Sequence, residues 1–120
     1  MGKYIIEYYH RKDGSCPVIE YLDSLDNKHR AKMLKSIQLV EEFGNELREP
    51  YSKPLGEGIF EFRAKLGSDN MRVLYFFHVG KCVILTNGFS KKTQKTPKSE
   101  LEFVRQCRAD YFDERRDTDE

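Results

Sequence analysis

Residues 59–89, IFEFRAKLGSDNMRVLYFFHVGKCVILTNGF, decide the fold of this chain. In residues 59–66 apolar and charged side chains alternate, which is the period of a β-strand with one buried face. Turn sequences then separate this segment from two further apolar segments, residues 71–79 and 82–89. Three such segments joined by short turns predict a meander of antiparallel strands.

On the N-terminal side of the meander, the chain predicts one strand followed by two helices. Residues 4–9, YIIEYY, are rich in β-branched and aromatic side chains and predict the strand. Pro17 suits the first turn of a short helix that ends at residue 25. Asp26 is a suitable N-cap for a longer helix over residues 27–43, in which apolar side chains recur at helical spacing.

The segments that flank the meander complete the predicted architecture. Residues 48–58 contain two prolines and two glycines and predict a loop. Thr96 as N-cap and Pro97 at the first helical position predict a C-terminal helix. The chain is therefore predicted to form one α+β domain over residues 1–112, with a charged, frayed tail over residues 113–120. Its small antiparallel sheet, the N-terminal strand plus the three-strand meander, packs with two N-terminal helices and a C-terminal helix.

Length and composition predict a small cytoplasmic protein. The 120 residues fit one domain, and no apolar run approaches the roughly 18 residues of a membrane span. The apolar stretch near the N-terminus is too short for a signal peptide. Cys16, Cys82 and Cys107 are odd in number and lack C-x-x-C spacing, so they predict reduced thiols rather than disulfides or a zinc site.

Charge is distributed unevenly along the chain. Residues 51–98 carry 9 Lys and Arg against 3 Asp and Glu, a net charge of +6. Residues 1–50 carry 8 against 9, and residues 99–120 carry 4 against 8, so their net charges are −1 and −4. A basic middle region of this kind indicates a polyanionic partner.

Arginine and lysine side chains of the meander form the candidate site. Arg63 and Lys65 share one strand face, and antiparallel pairing should bring Arg72 close to them. Because Arg72 stands in a largely apolar strand, it needs a ligand or a partner such as Glu61. Residues 90–98 then add four lysines. Each of these charges also fits a purely structural role on the solvated face of the sheet.

A convergent set of arginines and lysines suits phosphate chemistry, above all the cleavage of RNA by its own 2′-hydroxyl. Arginine offers a fork of donors to the dianionic phosphorane. A lysine would act as the base only if neighbouring cations lowered its pKa from about 10.4. Histidine is the usual alternative, and His78 lies at a predicted strand end. No acidic cluster predicts a Mg²⁺ site, and no cofactor motif is present, so neither a metal nor a cofactor is expected.

Four sequence motifs resemble those of a known family in an ordered series. They are KPL at residues 53–55, IFEFR at 59–63, MRVLYF at 71–76 and GFSKKTQKTP at 88–97. As a set they are similar to toxins of the RelE/HigB superfamily, in particular its phage-derived HigB-like branch. The resemblance spans about residues 4–112.

The resemblance implies both an architecture and an activity. Toxins of this superfamily have a compact α+β fold and belong to type II toxin–antitoxin pairs. They are typically ribosome-dependent, metal-free mRNA endoribonucleases that use 2′-hydroxyl attack. The expected partners are therefore an antitoxin of the helix-turn-helix type and mRNA on the ribosome, with operator DNA reached only through the antitoxin.

The resemblance also assigns roles to particular basic residues. The residues that match catalytic positions are Arg63, Arg72, Lys91 and Lys92. Positions that grip RNA or the ribosome more loosely are matched by Lys53, Lys65 and Lys95, and the same lysine-rich segment adds Lys98 to the predicted RNA-binding set. Many relatives place a tyrosine or histidine for proton transfer near the C-terminus. The resemblance does not assign Tyr111 to that position, so no general base is named.

Two other functions use the same residues differently. ParE-like members of the superfamily inhibit gyrase without cutting RNA, and a nucleic-acid-binding phage regulator would use the basic patch without cleavage. Cleavage requires Arg63, Arg72 and a lysine of the 91–92 pair within reach of one phosphate, whereas binding tolerates a more extended track. If the residues are catalytic, we expect Arg72→Ala to abolish toxicity without unfolding the domain.

Overall fold

The computed structural model describes residues 3–91 and 95–119, and the side chains of all of these except residues 91 and 116–119. In these ranges the chain forms five strands, three α-helices and a short 3₁₀ turn after the second helix. The elements are β1 (Ile5–Tyr8), α1 (Pro17–Ser24), α2 (Asn27–Phe43), β2 (Ser52–Gly56), β3 (Ile59–Leu66), β4 (Asp69–His78), β5 (Cys82–Lys91) and α3 (Lys98–Asp119). No helix in the described ranges is long and apolar enough to cross a membrane.

The strands form one sheet in the order β1-β5-β4-β3-β2. Strands β3, β4 and β5 are the predicted antiparallel meander. The hairpin between β3 and β4 is tighter than expected, since pairing continues to Leu66 opposite Asp69. Gly67 adopts the positive φ of 62° that this turn requires. The predicted α+β architecture is confirmed.

Two features of the sheet differ from the prediction. β2 is an additional edge strand inside the segment predicted as a loop, paired with β3 from Ser52 opposite Phe62 to Gly56 opposite Ile59. Pro54 is tolerated there because an edge strand leaves one row of backbone donors unpaired. The N-terminal strand β1 runs parallel to β5, so the sheet is mixed rather than wholly antiparallel.

Helices α1 and α2 cover one face of the sheet. α2 begins and ends where the sequence predicted, with the Asp26 side chain accepting from the His29 backbone N–H at 2.9 Å. Gly44 ends it at a φ of 50°, where the Tyr4 ring leaves no room for a Cβ. The buried side chains of Met33 and Val40 belong to the core on this face.

Helix α3 covers only part of the opposite face. Val104 packs there in a buried cluster with Ile59 and Leu74. The first turn of the helix is held by the Asn87 amide, which donates to a Glu100 carboxylate oxygen at 2.8 Å. The first turn of α3 therefore lies above Leu74 and the strand residues beside it. The neighbouring residues nearer the β3–β4 turn lie beyond the N-terminal end of the helix and are not covered by it.

The ends of α3 differ from the predicted ones. The backbone N–H groups of Glu100 and Leu101 donate to the Pro97 carbonyl, so Pro97 occupies the capping position and the prediction of a Thr96 N-cap is wrong. At the other end the helical backbone continues to Asp119, past the predicted boundary at residue 112. Fraying of these last residues and a domain limited to 1–112 stay predictions.

Candidate functional site

Two arginines lie side by side on the sheet face beyond the start of α3. In the register of β3 and β4, Arg63 is directly opposite Arg72, which confirms the proximity expected from the sequence. Like charges on opposite strand positions repel. A compensating anion is therefore required for this pair to persist in the fold.

Glu61 provides that anion, two residues before Arg63 on the same face of β3. One carboxylate oxygen, Oε1, accepts from Arg72 Nη1 at 2.5 Å and from Arg63 Nε at 3.2 Å. The Glu61 side chain is fully buried, that of Arg72 is 4% exposed, and that of Arg63 is 21% exposed. Glu61 thus holds both guanidinium groups, and the partner suggested for Arg72 by the sequence is the one it has.

The other Glu61 oxygen connects the sheet to the segment before α3. The Thr96 hydroxyl donates to Oε2 at 2.6 Å, across 35 positions of sequence. Burial by itself raises the pKa of the Glu61 carboxyl, but the hydrogen bonds from Thr96, Arg72 and Arg63 and the charge of Arg72 together outweigh burial, so the pKa is lowered from 4.5. Glu61 is therefore a carboxylate at neutral pH.

The arginine pair retains an unused hydrogen-bond donor. Arg72 Nε is buried and has no partner in the part of the chain that the structure describes. An unsatisfied buried donor is unfavourable, and two guanidinium groups against one carboxylate leave a local excess of one positive charge. Such an arrangement suits an additional anionic ligand, and the guanidinium fork matches a phosphate.

The predicted lysines surround this pair to different degrees. Lys53 lies opposite Glu61 in the register of β2 and β3, and Lys65 lies two residues beyond Arg63 on the same face of β3; both lysines are exposed. The backbone of Lys91 lies opposite Asn70 in β5. Lys92 lies outside the described residues, so its predicted position stays untested. Two exposed lysines lie close in sequence to Thr96, namely Lys95 and Lys98.

Candidate proton-transfer groups lie away from the arginines or are already occupied. Tyr111 contacts His78, with the two side chains 3.1 Å apart at Oη and Nδ1. His78 is six residues along β4 from Arg72, which at about 3.3 Å per residue is roughly 20 Å. Both ring nitrogens of His29 are bonded to carboxylates, those of Asp26 and Asp69. These positions assign no general base to the arginine pair.

One contributor to this site was missed by sequence reasoning. Thr96 carries no local signal for its role, because its sequence context is equally typical of a helix cap. Its contact with Glu61 depends on how α3 returns to the sheet. In the described ranges, no three His, Cys, Asp or Glu side chains form a group that could hold a metal ion.

Comparisons with known proteins match the chain in sequence and in fold. A family model described as "Phage derived protein Gp49-like (DUF891)" matches residues 20–108. No curated protein matches the chain in sequence. The crystal structure of an archaeal RelE–RelB complex from Pyrococcus horikoshii OT3 contains a chain of similar fold, with a TM-score of 0.50 and 20% sequence identity. That alignment covers 78% of this chain and 99% of the archaeal one.

Proposed function

Because the chain belongs to the Gp49-like family of phage-derived proteins, a RelE/HigB-type toxin family, we propose that it is the toxin of a toxin–antitoxin pair and cuts mRNA on the ribosome. The observation that carries this proposal is the pair of guanidinium groups held by Glu61, with Arg72 Nε left without a partner among the described residues. Its place of action would be the cytoplasm.

The proposed reaction is cleavage by the substrate's own 2′-hydroxyl. The 2′-oxygen attacks the adjacent phosphorus, the bond from phosphorus to the 5′-oxygen breaks, and the products are a 2′,3′-cyclic phosphate and a 5′-hydroxyl. One proton leaves the 2′-hydroxyl and one is taken up by the 5′-oxygen. Arg63 and Arg72 would stabilise the negative charge that grows on the phosphorane oxygens. Lys91 and Lys92 are proposed to complete the catalytic set.

Positioning is the second contribution of the site. Glu61 fixes the guanidinium of Arg72 from one side, so that little conformational entropy is lost when phosphate binds. The exposed lysines are proposed to bind RNA outside the scissile phosphate. They are Lys53, Lys65, Lys95 and Lys98. This division separates residues that act on the reacting atoms from residues that only attract the strand.

An antitoxin is the proposed protein partner. The structural neighbour from Pyrococcus horikoshii was crystallised as a RelE–RelB complex, and by analogy this chain would bind a cognate antitoxin, of the helix-turn-helix type. Any contact with operator DNA would run through that antitoxin. No cofactor enters the proposed reaction.

The test is primer extension on a defined mRNA in a translating extract. Wild-type protein should produce cuts that require ribosomes, and Arg63→Ala should slow them by about 10²–10³-fold, the usual effect of losing a donor to a transition-state oxyanion. Lys81→Ala is the matched control, because Lys81 is an exposed cation in the turn between β4 and β5. It should cut like wild type.

Two results would contradict the proposal. Equal cleavage by Arg63→Ala and wild type would remove the arginine pair from the reaction. Intact mRNA in the presence of wild-type protein that still arrests growth would instead support a ParE-like inhibitor of a protein target such as gyrase. A phage regulator would bind nucleic acid without cutting mRNA and without arresting growth.

A further inference from the structure

A groove runs along the part of β3 that β2 does not cover. The pairing of β2 with β3 ends at Ser52 opposite Phe62, followed by one more bond from the Arg63 backbone N–H to the Tyr51 carbonyl at 2.8 Å. Beyond this point a groove of about 740 Å³ lies between α2 and the meander. Its rim includes Lys32, Lys35, Phe43, Tyr51, Arg63 and Lys65.

Exposed aromatic side chains are concentrated at this groove. The chain has 7 tyrosines and 8 phenylalanines, all within the described ranges, and Phe43 and Tyr51 alone are exposed, at 43% and 52%. Both line the groove, Phe43 from the end of α2 and Tyr51 from the turn before β2. Large rings held in water next to a cavity offer flat surfaces on which nucleobases stack.

Charge in the groove favours an anion. Lys32 and Lys35 extend the cationic surface of Arg63 and Lys65 across to α2, and the acidic side chain on its lining is Glu42. Lys32 and Lys35 stand at positions i and i+3 of α2, so their side chains are neighbours about one helical turn apart along the groove. A strand of phosphates passing the arginine pair would meet these cations next.

We propose that this groove binds single-stranded RNA adjacent to the scissile phosphate, with Tyr51 as a base-stacking platform and Lys35 as a phosphate contact. The inference deepens the proposed function and rests on it for the identity of the ligand. An acidic peptide added to the open edge of β3 would also be attracted by the cations. The two exposed rings favour RNA, because a peptide strand uses pockets for alternate side chains rather than flat stacking surfaces.

The experiment measures RNA binding without cleavage. A fluorescent oligoribonucleotide of about ten nucleotides, within the usual range of single-strand sites, carries 2′-O-methyl groups throughout so that no 2′-hydroxyl can attack. Anisotropy titrations compare wild type with Tyr51→Ala and Tyr51→Phe. Tyr51→Ala should weaken binding at least about fivefold, as loss of one stacking contact does, while Tyr51→Phe keeps the ring and the affinity.

A second pair of variants tests the lysine contact. Lys35→Ala should weaken binding and reduce the slope of log K against log salt by about 0.7, the value for one phosphate contact to a single strand. Lys28→Ala is its matched control, since Lys28 is exposed on the same helix but does not line the groove. Lys28→Ala should bind like wild type. Thermal unfolding of each variant confirms that it is folded.

Several outcomes overturn the inference. The groove is not an RNA site if wild type fails to bind the oligonucleotide, if Tyr51→Ala and Lys35→Ala bind like wild type, or if Lys28→Ala loses as much affinity as Lys35→Ala. Direct binding of a fluorescent acidic peptide with the same Tyr51 dependence, in the absence of RNA binding, would make it a peptide site. Oligonucleotide binding that depends on Tyr51, together with intact mRNA in the extract, would instead retain the groove and reject the endoribonuclease.

Discussion

Two clusters at opposite ends of β4 each join a glutamate to an arginine, and they differ in how many donors they satisfy. At one end the buried Glu61 accepts from Arg63 and Arg72 and still leaves Arg72 Nε without a partner among the described residues. At the other end Glu7 is 38% exposed, and its two oxygens accept separately from Tyr111 at 3.2 Å and Arg115 at 3.0 Å.

This difference indicates that the Glu61 cluster can bind a ligand, whereas the Glu7 cluster has a structural role. The Glu7 cluster pairs one carboxylate with one guanidinium, and the Arg115 guanidinium lies 4.0 Å from the centre of the Tyr111 ring. It therefore fastens the later turns of α3 to β1 without an outstanding charge. The Glu61 cluster has more donors than acceptors in a buried place, where an unmatched donor is most unfavourable. Bound phosphate would correct that imbalance.

The largest expected effect comes from removing Arg72. Because Arg72→Ala would leave the Glu61 carboxylate buried without its closest partner, we expect a loss of about 3–5 kcal/mol in the free energy of unfolding. Urea unfolding measures it. The sequence alone predicted that the Arg72→Ala variant folds normally, whereas the burial of the Arg72 side chain predicts that the variant is severely destabilised. Loss of toxicity in Arg72→Ala would therefore not by itself identify a catalytic residue.

A double variant separates the two roles of Arg72. Replacing both partners by apolar residues, Glu61→Leu with Arg72→Met, removes the buried charge as well as the guanidinium, and should recover most of the lost stability. It should nevertheless leave mRNA intact in the primer-extension assay. Cleavage at the wild-type rate by this folded double variant would show that Arg72 is structural only.

A smaller effect is expected at the other cluster. Tyr111→Phe removes the hydroxyl that bonds Glu7 and His78, which should cost about 1 kcal/mol of stability. Cleavage should not change, since Tyr111 contacts His78, which lies roughly 20 Å from Arg72 along β4, and burial raises the pKa of the Tyr111 hydroxyl. Primer extension and urea unfolding on the same variant test both statements. A cleavage defect in the folded variant would make Tyr111 part of the active site.

The smallest expected effect is a pH dependence at the β3–β4 turn. Hydrogen bonds to Asp26 and then to Asp69 raise the pKa of His29 above 6.5. A raised pKa means that the imidazolium stabilises the fold fully below about pH 6.5 and that this contribution is lost as pH rises through the higher folded value. His29 joins the start of α2 to Asp69 at the β3–β4 turn, next to Asn70, which lies opposite Lys65. It therefore helps to hold this end of the hairpin in place, although it belongs to neither the Glu61 nor the Glu7 cluster.

Comparing wild type with His29→Gln tests this dependence. Wild type should have the higher melting temperature at about pH 5.5, and the difference should shrink toward about pH 8.5 as the pH rises through the raised pKa of His29. NMR titration of the His29 ring measures its pKa directly. An advantage that does not vary with pH would show that the ring acts through packing and not through its charge.

The sequence alone determined the parts of this protein that depend on local pattern. Alternation in residues 59–66 predicted which side chains of β3 share a face, and antiparallel pairing predicted that Arg72 lies near Arg63 or Lys65. The exact register, Arg63 opposite Arg72, came from a hairpin tighter than the predicted one. Asp26 and Gly44 likewise set the ends of α2, because capping depends on residues adjacent to the helix. Two of the motifs that resemble RelE/HigB toxins, IFEFR and MRVLYF, lie on the two strands of this hairpin, β3 and β4.

Tertiary structure decided everything that depends on contacts between distant segments. The sequence of β2, with its proline and glycine, favours a loop, and it becomes a strand only because β3 presents a free edge to it. The same holds for the parallel pairing of β1 with β5 and for the bond from Thr96 to Glu61, which spans 35 positions. The groove between α2 and β3 also exists only after both elements have packed, since neither element contains it alone.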